Sequence, residues 1–388
     1  MQNEKIILKP GRDLPLKKKH LWIFSGSVHE KPDFPNGTIL PVYSSDHIFL
    51  AWAYFNNTGS IAGRVLGFSD QDPLVQLSRN LKIAFKKREL FYGSENNSCR
   101  LVNAEGDSIP GLIIDRYGQL LVLQSSSAGI DLLKNFIIEN VTAYFGSSVI
   151  IYEKSRSHSR SQEGLASAEG FLHNKCAPEI EIRESGLIMT FDLFNCQKTG
   201  LFLDMIEMRR LIQNHSRGSS VLNCFSYTGG FSLYALAGGA SHIVNVDISA
   251  AALEQAEISL KKNNFKAAEN IKKDGFEFLA ENSNLYDLII IDPPAFAKSR
   301  HDLHNAQTAY LRLFKAALVR LKTPGKLLLA SCSFYLDPSV FEKIAARAVS
   351  ETGRSASIIS RHRCAPDHPV NLHHPESDYL KSVFLDVQ

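Results

Sequence analysis

The run Val221-Leu222-Asn223-Cys224 leads into Phe225-Ser226-Tyr227-Thr228-Gly229-Gly230-Phe231, an apolar strand followed by a turn with two glycines. Glycines between a strand and its helix let backbone approach a nucleotide-like ligand closely. Asp247 ends the next apolar run about twenty residues on, where a carboxylate can accept ribose hydroxyls. The G-x-G-x-x-G fingerprint is missing, which counts against a nicotinamide oxidoreductase. No G-x-x-x-x-G-K-[ST] is present either, which removes a P-loop phosphotransferase.

A second constellation is Ile289-Ile290-Ile291-Asp292-Pro293-Pro294-Ala295-Phe296. The two prolines fix φ and hold the chain extended, so Asp292 is presented rigidly at the end of an apolar strand. Cys332 follows a further apolar run, Leu327 to Ala330, between two serines. A thiolate at such a strand end can attack C6 of a pyrimidine and make C5 nucleophilic enough to take a methyl group. A free thiol titrates at about 8.5, so a neighbouring positive charge or proton acceptor must favour that thiolate. Cys224 reads as a small buried hydrophobe instead.

Positioning these residues requires alternating strands and helices from 219 onward. The patterns predict strands at Val221 to Cys224, Ile243 to Val246, Leu285 to Ile291, Lys326 to Ala330, Ala356 to Ser360 and Leu380 to Val387. Helices are predicted at Gly229 to Ala237, Ala250 to Asn263, Ala306 to Leu321 and Pro338 to Val349. That order implies a doubly wound parallel sheet whose last strand can be antiparallel. The first seventy residues alternate short apolar runs with turn formers, an all-β pattern. A helix is expected over Leu74 to Tyr92, mixed elements follow to about 190, and the polar Ser155 to Ser161 reads as a surface loop. The expected domains are 1–72, 73–190 and 191–388.

The 388 residues are 44% hydrophobic and 21% charged, which excludes a wholly disordered chain, and the formal net charge of +3 names no partner by itself. None of the six cysteines forms a C-x-x-C pair, so neither a zinc ribbon nor a dense disulfide framework is expected. The first twenty residues lack a signal-peptide pattern, and no apolar run reaches the roughly 18 to 20 residues of a membrane helix. The expectation is a cytoplasmic protein.

D-P-P after the fourth strand and a glycine turn after the first resemble class I methyltransferases that use S-adenosylmethionine. The ordered set QKTGLFLD (Gln197 to Asp204), LNCFSYTGGF (Leu222 to Phe231), IDPPAFAKS (Ile291 to Ser299), SCS (Ser331 to Ser333), Asp367-His368-Pro369 and Tyr379-Leu380-Lys381 is more specific. Together these resemble the bacterial large-subunit rRNA methyltransferase I family, which makes 5-methylcytosine in 23S rRNA. His20-Leu21-Trp22-Ile23-Phe24-Ser25-Gly26 is similar to that family's PUA domain, and Glu105 to Arg116 to its central domain. The implied fold class is α/β: a C-terminal class I (Rossmann-like) methyltransferase domain, a small N-terminal PUA-like β-barrel and a central α+β domain.

The resemblance implies that Phe225, Thr228, Gly229 and Gly230, with Ser226, line the methionine side of the cofactor. It implies Asp247 and Ile248 at the ribose, Asp274 and Gly275 at the adenine, and Lys198-Thr199-Gly200 closing the pocket. Asp292 would border the cofactor and hydrogen-bond the cytosine ring, with Cys332 as nucleophile. Ser155 to Gln162 is less basic than in the family's pattern. Pro293 stands where some RNA cytosine-C5 methyltransferases resemble one another in carrying a second cysteine, so no residue is assigned to remove the C5 proton.

Three basic groups are candidates for RNA. Lys9, Arg12, Lys17, Lys18, Lys19 and His20 lie beside Trp22, which suits phosphate contact plus base stacking. Lys298, Arg300, His301 and His304 follow D-P-P, and Arg361, His362, Arg363, His368, His373 and His374 form the third group. The histidines show no compact ligand spacing, so no metal is expected. A stacked cytosine is out of reach, so the target would be unpaired or flipped. Two rivals stay open: a guanine-modifying relative, which needs no nucleophile, and a non-catalytic RNA-binding factor with the same fold.

Overall fold

Strands buried on both faces need apolar residues at every position, and the second half of the chain supplies them. In the computed structural model, which describes residues 5–29, 33–265, 268–297 and 299–388, the chain forms two compact units. One comprises Glu179–Cys196, Leu201–Ala365 and Asp378–Gln388; the other holds the chain up to Pro178 together with Gln197–Gly200 and Pro366–Ser377.

The first of these units is built on seven strands: β1 (Ser220–Cys224), β2 (His242–Asp247), β3 (Glu269–Lys272), β4 (Tyr286–Ile291), β5 (Leu321–Ser331), β6 (Ala356–His362) and β7 (Lys381–Val387). Their order is β3-β2-β1-β4-β5-β7-β6, with β7 antiparallel to both neighbours. The helices are α1 (Ile206–His215), α2 (Gly230–Ala237), α3 (Ala250–Lys262), α4 (Gly275–Glu281), α5 (Leu303–Arg320) and α6 (Pro338–Glu351). Leu222, Cys224, Ile289, Ile291, Leu327 and Leu329 pack into one core, while Val221, Leu288, Ile290, Leu328 and Ala330 pack into the core on the other face. The chain order reverses between β1 and β4, so the crevice outside their carboxyl ends is the expected ligand site of such a sheet.

The other unit carries two five-stranded sheets. Ile6–Ile7, Ile39–Tyr43, Phe49–Phe55, Ile61–Gly67 and Trp22–Phe24 pair in that order. Ala168–His173, Ile150–Ser155, Leu120–Ser125, Leu112–Tyr117 and Ser98–Asn103 form the second. The helix Pro73–Arg88 starts at Asp72, whose carboxylate accepts the Leu74 and Val75 N–H groups, and buries Leu77, Leu81, Ala84 and Phe85. Such a cap contributes about 1 kcal/mol. The Ser155 to Ser161 segment lies at the surface as its polarity suggests, with Arg156, His158, Ser159 and Ser161 exposed, but it is not all loop. A one-turn helix, His158–Gln162, buries Arg160, which pairs in bidentate fashion with Asp131 at 2.6 and 2.7 Å. The Ser157 and Ser159 hydroxyls bond each other at 3.0 Å, the Ser161 hydroxyl donates to the His158 carbonyl at 2.7 Å, and Arg156 pairs with Glu169.

Candidate active site

The turn after β1 is strained in the way a close backbone approach requires. Phe225, Tyr227 and Gly229 have φ of +60°, +48° and +72°. At Gly229 a side chain is doubly excluded, because a Cβ would also lie 2.8 Å from the Ala256 Cβ. Asp247 ties this turn to the end of β2: its Oδ2 accepts the Tyr227 N–H at 2.8 Å and its Oδ1 the Ser249 N–H at 2.9 Å. Each oxygen keeps a second lone pair for a ribose hydroxyl. Ile248 beside it is 69% exposed.

Asp274 caps α4, its Oδ1 accepting from Phe276 and Glu277 at 2.8 and 3.2 Å. A Cβ at Gly275 would stand 2.7 Å from the Phe225 ring, so the glycine lets that ring lie over the helix start. Thr228 and Ser226 are buried, and the Ser226 hydroxyl has no hydrogen-bond partner among the described residues. A buried orphan hydroxyl, a cradle kept clear of Cβ atoms and a carboxylate at the end of β2 fit a nucleoside-bearing cofactor. Beneath the turn, Arg209 and Glu184, both nearly fully buried, pair through two hydrogen bonds of 2.7 and 2.6 Å. A Cβ on Gly230 would lie 3.3 Å from Arg209 Cδ, so this pair supports the glycine turn directly.

Asp292 and Cys332 leave the carboxyl ends of the neighbouring strands β4 and β5. Both are half-buried. Ser331 and Ser333, on either side of the cysteine, are fully buried and share the Tyr310 hydroxyl at 2.8 and 3.1 Å. The Ser333 hydroxyl accepts the Ala297 N–H at 3.4 Å, joining the loop after D-P-P to the turn after Cys332. Lys381, opposite Ser331 on β7, is buried, and its Nζ donates to the Ser333 carbonyl and, at 2.8 Å, to that of Leu336. Burial, helped by the Arg363 charge, pulls the Lys381 ammonium down to about 8, while the charges of Cys332, Asp378 and Asp337 oppose that fall. A cationic group beneath the cysteine's turn is what thiolate chemistry needs. The sequence carries one signal for it, a lone lysine starting a buried strand. Cys224 is a core residue whose thiol is pushed up by burial.

The remaining expected site residues lie as follows. Gln197–Gly200 belongs to the other unit, where the Thr199 hydroxyl donates to Asp115 at 2.5 Å. Lys198 is exposed and Gly200 buried there. Of the first basic group, Lys9, Arg12 and Lys18 are exposed, Lys17 pairs with Asp13 at 2.6 Å and Lys19 lies over the Phe68 ring. Trp22 is half-buried, donates to Glu105 at 2.9 Å and packs against His374 at 4.4 Å between ring centroids. Its indole is committed inside the fold, contrary to the expected open stacking platform. Arg300 is exposed, and Lys298 lies outside the described residues. The third basic group is not one cluster. Arg361 binds Glu342 at 2.8 and 3.1 Å, and Arg363 lies 3.5 Å from Asp378. His368 and His374 are buried in the other unit, His368 against Asp367 at 2.7 Å.

Comparison with known proteins agrees with this architecture. Residues 6–68 match the PUA-like domain and residues 155–376 match the S-adenosylmethionine-dependent methyltransferase family. The ribosomal RNA large subunit methyltransferase I of Aliivibrio fischeri strain MJ11 is 36% identical over 97% of each chain. The protein of the same name from Pseudoalteromonas translucida is 35% identical, over 98% of this chain and 99% of its own. A solved structure from Streptococcus mutans, provisionally assigned as a SAM-dependent methyltransferase, superposes with a TM-score of 0.84. It is 23% identical, covers 98% of this chain and 99% of its own, and shares the fold. No helix among the described residues is long and apolar enough to cross a membrane. With its methyltransferase and PUA-like matches and its near-full-length relatives, the chain belongs to the S-adenosylmethionine-dependent methyltransferases of the ribosomal RNA large subunit methyltransferase I family.

Proposed function

We propose that the protein methylates C5 of an unpaired or flipped cytosine in 23S rRNA, in the cytoplasm, through a transient bond between Cys332 Sγ and C6 of the base. The observation that supports this most is Cys332 at the end of β5, beside Asp292 on β4, with the buried Lys381 ammonium under its turn. Bound S-adenosylmethionine supplies an electrophilic methyl group. Asp247 holds the ribose hydroxyls, Asp274 and Gly275 border the adenine, and the Phe225 to Gly230 turn, including Ser226, takes the methionine end. The Cys332 thiolate forms the C6–S bond, and the electron pair of the C5–C6 double bond moves into the ring toward N3. There the Asp292 carboxyl, in its protonated form, donates a hydrogen bond and its proton. C5 is thereby made nucleophilic. After methylation the C5 proton leaves to a base, the C6–S bond breaks, and its electrons return to sulfur.

Asp247→Ala removes acceptors for both ribose hydroxyls. Hydrogen bonds to a charged group contribute about 1.5–3 kcal/mol, so the dissociation constant for S-adenosylmethionine should rise roughly 10- to 100-fold by calorimetry. Unchanged affinity would mean the ribose lies elsewhere.

Lys381 gives a pH test. Its folded value of about 8 lies below its ordinary 10.5. Between those values the unfolded chain binds more protons, so stability rises with pH across that window. Compared with Lys381→Met, the wild type should gain about 1–3 kcal/mol of unfolding free energy between pH 7.5 and 10. Parallel pH profiles would remove the buried ammonium from the account. At neutral pH, loss of that charge should also slow methyl transfer.

A further inference from the structure

His20, His374 and Glu376 converge although 356 positions separate His20 from Glu376. All three belong to the unit that carries the N-terminal sheet. His20 precedes the strand Trp22–Phe24. His374 and Glu376 flank Pro375 in a tight turn fixed by Asn371, whose carbonyl accepts the His374 N–H at 2.8 Å and whose side chain accepts the His373 N–H at 2.9 Å. One donor atom from each residue lies within 4.8 Å of the other two. His20 Nε2 is 3.3 Å from Glu376 Oε1, and His374 Nδ1 is 3.6 Å from Glu376 Oε2.

The second pair is the informative one. His374 is 1% exposed, and both its Nδ1 and Glu376 Oε2 are buried with no hydrogen-bond partner among the described residues. They face each other at a separation too long for a hydrogen bond. A ring nitrogen lone pair and a carboxylate oxygen pointed at one another leave a place for a cation. His20 Nδ1 faces both the Trp22 N–H at 3.2 Å and the Trp22 carbonyl at 3.3 Å, so that residue's backbone fixes the ring. Without an ion Nε2–H donates to Glu376; binding an ion moves the proton to Nδ1, which then donates to the carbonyl. A backbone carbonyl behind the ring is the usual second partner of a ligating histidine.

We propose that His20, His374 and Glu376 form a binding site for a divalent transition-metal ion of the zinc type, with water in the fourth position. Two imidazoles and one carboxylate are a standard three-ligand zinc set, and bonds of roughly 2.0–2.1 Å place tetrahedral donors roughly 3.3 Å apart. The His20–Glu376 distance already matches, and small side-chain rotations bring in His374. Glu376, with a side chain 30% exposed, gives the ion its entry path. The ion would clasp the Pro366–Ser377 segment to the strand of Trp22, whose ring centroid lies 4.4 Å from that of His374.

The test uses full-length protein without a histidine tag, stripped with chelator and titrated with Co²⁺. The expected result is one equivalent bound, with the visible bands of a four-coordinate nitrogen and oxygen site, no thiolate charge-transfer band, quenched tryptophan fluorescence and displacement by Zn²⁺. His374→Leu, His20→Asn and Glu376→Gln should each weaken binding by more than about 100-fold, since even loss of an outer partner costs 10- to 100-fold. S-adenosylmethionine affinity by calorimetry reports whether each variant is folded. Should His374→Leu fail to fold, the Glu376 and His20 variants, at less buried side chains, decide. Absence of stoichiometric uptake, a thiolate band, or binding that survives His20→Asn with Glu376→Gln would overturn the site and leave a hydrogen-bonded cluster only.

Discussion

Cys332→Ala should abolish methyl transfer, by roughly 10⁴-fold or more in kcat, while leaving S-adenosylmethionine affinity within about twofold of wild type. The thiol is half-buried at the end of β5, and none of the groups assigned to the cofactor depends on it. Ser331 and Ser333 hold the turn through Tyr310, and Lys381 holds it through two carbonyls, so removing one sulfur leaves the scaffold standing. An RNA carrying 5-fluorocytidine at the target gives a second readout. Fluorine cannot leave as a proton does, so wild-type protein should be trapped on the RNA through Cys332 and the variant should not. A fully active Cys332→Ala enzyme would rule out the covalent step and favour transfer to a nitrogen.

Glu184→Leu should be the most destabilising single change near the site. Glu184 accepts two hydrogen bonds from Arg209 and one from the Tyr234 hydroxyl at 3.0 Å, all inside the core. Its removal strands a buried guanidinium, at a cost of about 3–5 kcal/mol. Arg209 also donates to the Phe202 carbonyl at 2.9 Å and packs under Gly230, so the cofactor turn should loosen with it. The double variant Glu184→Leu with Arg209→Met should recover most of the loss, because replacing both charges by apolar groups is often neutral. Urea midpoints for the singles and the double measure this; additive losses would mean that the two side chains act independently.

The parts of the fold legible in the sequence are those where burial leaves a one-dimensional pattern. β1, β4 and the second half of β5 are largely apolar because cores lie on both faces. The bounds of β1 and β4 follow the apolar runs within one residue, while β5 starts five residues before the expected Lys326, in a polar stretch. Two antiparallel pairs turn at Ser185-Gly186 and at Tyr117-Gly118, each with a glycine in the turn. β3, by contrast, is the polar Glu-Asn-Ile-Lys at a sheet edge, and no apolar run marks it. The stretch Ile130 to Phe145 reads as one helix but divides into Ala128–Leu132 and Lys134–Phe145. Asp247 and Asp292 stand at strand ends visible in the sequence, whereas Asp274 follows the unmarked β3 and is assigned by the family resemblance alone. Lys381 reaches the turn after Cys332 through an antiparallel pairing, and His20 meets His374 through tertiary packing, so spacing carries neither. Basic residues have partners that the linear sequence does not show: Arg160, Arg361 and Arg363 lie beside carboxylates that it does not place next to them.

The most direct test incubates the protein with labelled S-adenosylmethionine and unmodified 23S rRNA, digests the RNA to nucleosides and identifies the labelled one by mass spectrometry. The account predicts 5-methylcytidine, lost in Cys332→Ala. Labelled methylguanosine, or an unlabelled RNA with the cofactor bound, would contradict it.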